Sequence, residues 1–112
     1  MMDEFFEVGT LEDFPIGTSH VRVVNDRKIA LFHTRSGLFA SDNTCPHRGG
    51  PLGEGDLIGE EVICPWHLWT FDVRTGKTDI DSDLHLTTHE VRVDERRVLV
   101  RLSADGPEAA GQ

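Results

Sequence analysis

An all-β fold is what this 112-residue sequence predicts. Three observations carry the prediction. Short runs of Val, Ile, Leu and Phe alternate with polar residues, as in half-buried strands. Clusters of Gly, Asn, Asp and Pro separate those runs at short, regular intervals. Helical periodicity is weak throughout.

The elements follow in chain order. "EFFEV" opens as a strand. Thr10–Phe14 can form one helical turn, with Thr10 as N-cap, before Pro15 and Gly17 end it. "SHVRVV" alternates, with Val21 and Val23 on one face and His20 and Arg22 on the other. "NDRK" (Asn25–Lys28) turns the chain into "IALFHT", and "RSG" (Arg35–Gly37) turns it again into "LFASD", so two hairpins are expected. "DLIGEEVI" reads as a hairpin turning at Gly59–Glu60. "WTFDV" is a strand and "RTGK" its turn. "LTTHEVRV", "DERR" and "VLVRL" make a last hairpin, with Val91 and Val93 alternating. The closing "SADGPEAAGQ" is small and polar, so residues 104–112 are expected to form a flexible tail beyond a single domain spanning 1–103.

A chain of this length buries roughly 65% of its unfolded surface, enough for one core. Its formal net charge is −9. That excludes the basic footprint needed for nucleic acid or an anionic membrane, and it suits docking on a basic protein surface. No run approaches the ~18 apolar residues of a membrane span. The acidic start "MMDEFFEVG" is unlike a secretory signal, so a reducing, cytoplasmic location is expected.

The chemistry lies in "CPHRGG" and "CPWHLW". They contain the chain's two cysteines. Cys45 is followed by His47 and Cys64 by His67, with sixteen residues between the pairs. The hairpin predicted between them can bring both loops to one end of a sheet. Two thiolates and two imidazoles suit zinc or an iron–sulfur cluster. Zinc fingers usually keep cysteines in one pair and histidines in the other. Here each loop supplies one of each, so one metal can take both cysteines while a second takes both histidines. Pro46 and Pro65 restrict the loops. Gly49, Gly50 and Gly53 allow tight turns whose amides can point at cluster sulfurs, and Pro51 and Leu52 are expected to close the loop over the cluster.

Cys45-x-His47 and Cys64-x-x-His67 resemble the binding signature of the Rieske iron–sulfur family, and the resemblance extends from Gly37 to Lys77. It implies a Rieske-type β-sandwich base with a small cluster-binding subdomain inserted at about 43–72. It also implies one [2Fe–2S] cluster per chain, ligated by Cys45, His47, Cys64 and His67. The respiratory branch of that family has an extra cysteine in each loop, forming a disulfide. The matching positions here are Gly50 and Trp66. That branch also carries a serine and a tyrosine whose hydroxyls donate to sulfur, where this chain has Trp69 and Phe71. Losing donors that stabilise the reduced cluster lowers its potential, toward the low end of the roughly −150 to +300 mV Rieske range.

The resemblance therefore implies a ferredoxin that is not catalytic alone. It would pass single electrons from a flavin-dependent NAD(P)H reductase to a terminal non-haem iron oxygenase such as a dioxygenase. A second branch, the small subunit of assimilatory NAD(P)H nitrite reductase with its large subunit as partner, fits "CPHRGGPL" and Trp69 as well. A structural zinc-binding interaction module is the alternative of another class. Among the remaining residues, Trp66 can shield the site or simply pack. Trp69 and Phe71 are expected to pack beneath it, and Arg48 to be solvated. His20, His33, His85 and His89, with no cysteine beside them, are expected at surface or half-buried strand positions. "DIDSD" (Asp79–Asp83) lacks the Gly and Glu of a calcium loop and reads as a solvated acidic loop.

Overall fold

A computed structural model describes residues 4–44, 50–65, 69–78 and 85–103. The architecture is the all-β arrangement expected. Among the described residues nine strands run β1 (Phe5–Thr10), β2 (Ser19–Val24), β3 (Arg27–Thr34), β4 (Gly37–Asp42), β5 (Asp56–Ile58), β6 (Glu61–Ile63), β7 (Thr70–Asp72), β8 (Thr88–Asp94) and β9 (Arg97–Arg101). Among the described residues helix is limited to two single 3₁₀ turns at Leu11–Asp13 and Leu52–Glu54. Among the described residues no helix is long and apolar enough to cross a membrane.

The strands divide into a six-stranded sheet, ordered β1-β9-β8-β4-β3-β2, and a three-stranded sheet, ordered β5-β6-β7. All neighbours are antiparallel. The large sheet curls until its edge strands approach, and Arg22 Nε on β2 donates to the Val8 carbonyl on β1 at 3.3 Å.

Turn chemistry sets the registers. Asn25 and Asp26 both take positive φ, 55° and 67°, which gives a two-residue turn of the type that matches strand twist. The expected turn Asn25–Lys28 is therefore narrower than its sequence suggests: Arg27 and Lys28 already pair with Val24 and Val23. The same contraction occurs at Gly37, which pairs with Thr34, and at Asp94, which pairs with Arg97. Thr10 is the N-cap of the first 3₁₀ turn, as expected. There the Asp13 carboxylate accepts the Thr10 backbone N–H at 2.9 Å.

Strand β3 explains why the two sheets stay together. "IALF" has no polar alternation, the mark of a strand buried on both faces. Ile29 and Leu31 point into a core with Phe14, Ala40, Val98 and Val100 inside the curled sheet. Ala30 and Phe32 point the other way, onto Leu52, Val62, Cys64, Phe71, Val73 and Leu86. Full burial of each large side chain stabilises by about 1.5–3 kcal/mol. At the far end of the small sheet, the Ser36 hydroxyl in the β3–β4 turn donates to Glu60 Oε2 in the β5–β6 turn at 2.9 Å.

Gly55 sits where the 3₁₀ turn meets β5, and a Cβ there would lie 2.2 Å from the Ile63 carbonyl oxygen. Backbone cannot move aside as a side-chain tip can. We expect Gly55→Ala to cost about 1–3 kcal/mol, read as a lowered thermal midpoint. An unchanged midpoint would contradict this packing.

Candidate metal centre

Two loops are rooted at the small core. The first follows β4. Its base is closed by an isolated antiparallel bridge between Thr44 and Pro51, and by the Leu52 N–H donating to the Asn43 carbonyl at 2.8 Å. The Asn43 side chain adds a second tie, its Oδ1 accepting the Gly53 N–H at 2.7 Å. The second loop follows β6. After the Ile63–Thr70 pair, the Cys64 N–H donates to the Trp69 carbonyl at 2.8 Å, so the hairpin ladder runs one rung further before it opens.

The feet of both loops share one apolar cluster. Leu52, from the first, and Cys64, from the second, are both buried within it. Trp69 packs on the same cluster, its ring 6.3 Å from that of Phe71. Both aromatics therefore pack, as the sequence suggests. Of the four sequence-identified donors, Cys64 is placed, at 1% exposure. Cys45, His47 and His67 lie outside the described residues, as do Arg48, Gly49, Trp66 and the Asp79–Asp83 stretch.

Three expectations need correcting. The Gly53 amide is taken by Asn43, so it is not a donor to a cluster. Gly53 is glycine because a Cβ there would meet Val21 Cγ2 at 2.4 Å and the His20 carbonyl at 2.8 Å. Leu52 turns inward to the core rather than outward over the loop. His89 also departs from its surface or half-buried expectation: it is buried and bonded to Asp42. The clue was present, since His89 shares a face with Val91 in the alternation of β8. His20 and His33 are half-buried, as expected, and His33 Nδ1 donates to the Phe14 carbonyl at 2.6 Å. Asn43 escaped the sequence reading, although an Asx residue at a loop entrance commonly ties its own backbone.

Asp72, on β7, holds Arg74 through Oδ1 and Oδ2 at 3.1 and 2.8 Å and so clamps the turn after the strand. The Arg74 guanidinium holds the Asp72 carboxyl below its ordinary value.

Residues 4–85 match the family model of the Rieske [2Fe-2S] domain. The ferredoxin component of the naphthalene 1,2-dioxygenase/salicylate 5-hydroxylase systems of a Ralstonia species is 32% identical over 105 residues, 91% of this chain and 99% of its own length. A chain in the complex of reduced oxygenase and oxidized ferredoxin in carbazole 1,9a-dioxygenase is 30% identical. It superposes with a TM-score of 0.78, over 85% of this chain and 99% of that one. A protein described as an NADH-dependent nitrite reductase small subunit, from Mycobacterium tuberculosis, has a TM-score of 0.80 at 21% identity, over 91% and 97%, and is alike in fold alone.

Two outcomes test this base. Asn43→Ala removes the acceptor for the buried Gly53 N–H and should cost about 1–3 kcal/mol in chemical denaturation. The Asp72–Arg74 clamp has a pH signature. Because the folded carboxyl is shifted down, its contribution is present above the unfolded value and is lost as pH falls through the folded one. Denaturation midpoints should therefore fall on acidification below about pH 4, and less steeply in Asp72→Asn. Equal slopes would remove the clamp from the account.

Proposed function

Because the chain belongs to the Rieske [2Fe-2S] domain family, we propose that it is a ferredoxin whose cluster is held by Cys45, His47, Cys64 and His67. The observation that carries the reading is the pair of closed loops, each opening with a cysteine, rooted in one apolar cluster around Cys64. The donor set fits the group. Two thiolates and two imidazoles divide between two irons, sulfur to one and nitrogen to the other. Once bound, the cluster supplies one-electron chemistry.

The chain's own residues do the rest. Cys64 sits at the core side; Cys45 and Cys64 would hold one iron, and His47 and His67 the other. Val62, Phe71 and Leu52 exclude water beneath Cys64, and Trp69 packs beside them. Phe71 brings no hydroxyl to donate to sulfur, which favours a low potential. The cluster-binding subdomain would run over about 43–72, within a domain of 1–103. The partners would be a flavin-dependent NAD(P)H reductase and a terminal oxygenase, in the cytoplasm. Similarity to ferredoxin components over nearly their full length supports that pairing. The nitrite reductase alternative rests on fold alone, and the zinc module has no support from the family.

Anaerobically isolated protein should be red-brown, with two irons and two acid-labile sulfides per chain, and give a reduced-state EPR signal. His47→Ala and His67→Ala should each lose the chromophore. With a flavin reductase and NADH, it should support turnover of an aromatic-ring oxygenase. A colourless zinc protein, or histidine variants that keep the chromophore, would overturn the ligand set.

A further inference from the structure

Directly before the first loop lies a buried polar cluster that the ligand set does not use. The Asp42 side chain, 1% exposed, ends β4. Arg27, at the start of β3, grips it with two bonds: Nε to Oδ1 at 3.0 Å and Nη2 to Oδ2 at 3.2 Å. His89 on β8 reaches Asp42 Oδ1 through Nε2 at 2.9 Å. The opposite ring nitrogen, Nδ1, accepts the backbone N–H of Ser103 at 2.9 Å. An accepting Nδ1 carries no proton, so the proton sits on Nε2 and is donated to Asp42. Arg27 Nη1 also donates to the Ser103 carbonyl at 3.1 Å. The backbone is held as well: the Asp42 N–H donates to the Thr87 carbonyl at 2.9 Å, and the Asn43 N–H to that of Lys28 at 3.2 Å.

Four chain segments thus meet in the cluster around Asp42, three places before Cys45. A buried ion pair contributes little net stability, since desolvation offsets most of its attraction. What such a pair does supply is direction. Groups that orient ligands from behind tune the centre they serve. We propose that Arg27, Asp42 and His89 are positioning residues for the first loop. They set the angle at which the chain leaves β4 toward Cys45 and His47, and through it the geometry of the cluster. The proposal rests on the reading of Cys45 and His47 as ligands.

The His89 ring can be divided chemically. An Asn side chain places its oxygen near Nδ1 and keeps the Ser103 bond but loses Asp42. A Gln side chain reaches Asp42 as Nε2 does and loses Ser103. Each variant gives up one hydrogen bond, so a merely structural role lowers both thermal midpoints and moves nothing else. Positioning predicts a split: His89→Asn shifts the reduced-state EPR g-values and the midpoint potential, whereas His89→Gln keeps both at wild-type values. Wild-type g-values and potential in His89→Asn, or equal shifts in the two variants, would overturn the proposal. Wild-type protein supplies a check that needs no variant to fold. The ¹⁵N shifts of His89 should report the Nε2–H tautomer, and an Nδ1–H tautomer would also overturn it. Absence of iron and sulfide from the wild type, or a chromophore that survives His47→Ala, sinks the ligand reading instead, so the two failures are told apart.

Discussion

Everything in this molecule depends on one strand being dry on both sides. β3 gives Ile29 and Leu31 to the interior of the curled sheet and Ala30 and Phe32 to the core beneath the loops. A side chain fully removed from water on either face adds to the same strand's hold. The small sheet has only three residues in each strand, too few to stand alone. It is ordered because Val62 and Phe71 have Phe32 to pack against.

From that core the loops inherit their positions. Each is pinched at its base by backbone hydrogen bonds, so little chain is left to order between the feet. Asn43 links the first foot to Gly53, and the absence of a Cβ at Gly53 lets β2 come close. The two feet are built differently. The second extends a hairpin ladder through the Cys64–Trp69 backbone rung. The first adds to its backbone bonds the side chains of Arg27, Asp42 and His89, drawn from β3, β4 and β8. That asymmetry suits a site whose first loop spans a longer gap, from Thr44 to Pro51, than the second does from Cys64 to Trp69.

The strands were legible in the chain because period-two alternation and turn residues are local properties. β2, β5, β6, β8 and β9 match their runs closely. Turn boundaries were less legible. Arg27, Lys28 and Asp94 look like loop residues by polarity, yet they complete strand pairs, because two-residue turns with positive φ at Asn25, Asp26 and Glu95 leave no room for a longer loop. The unbroken apolar run of β3 signals double burial, though not which face meets which core.

By itself the sequence determined the fold class and the chemistry: two cysteines, each with a histidine two or three residues beyond it, can serve as metal donors wherever they come together. Tertiary structure decided the support beneath them. Arg27, Asp42, His89 and Ser103 span 76 residues of chain between the first and the last. No local pattern links them, because partners in a buried polar cluster are chosen by which strands lie adjacent. Sheet order brings β3, β4 and β8 into that contact, and only in the folded molecule does a polar histidine become an interior one.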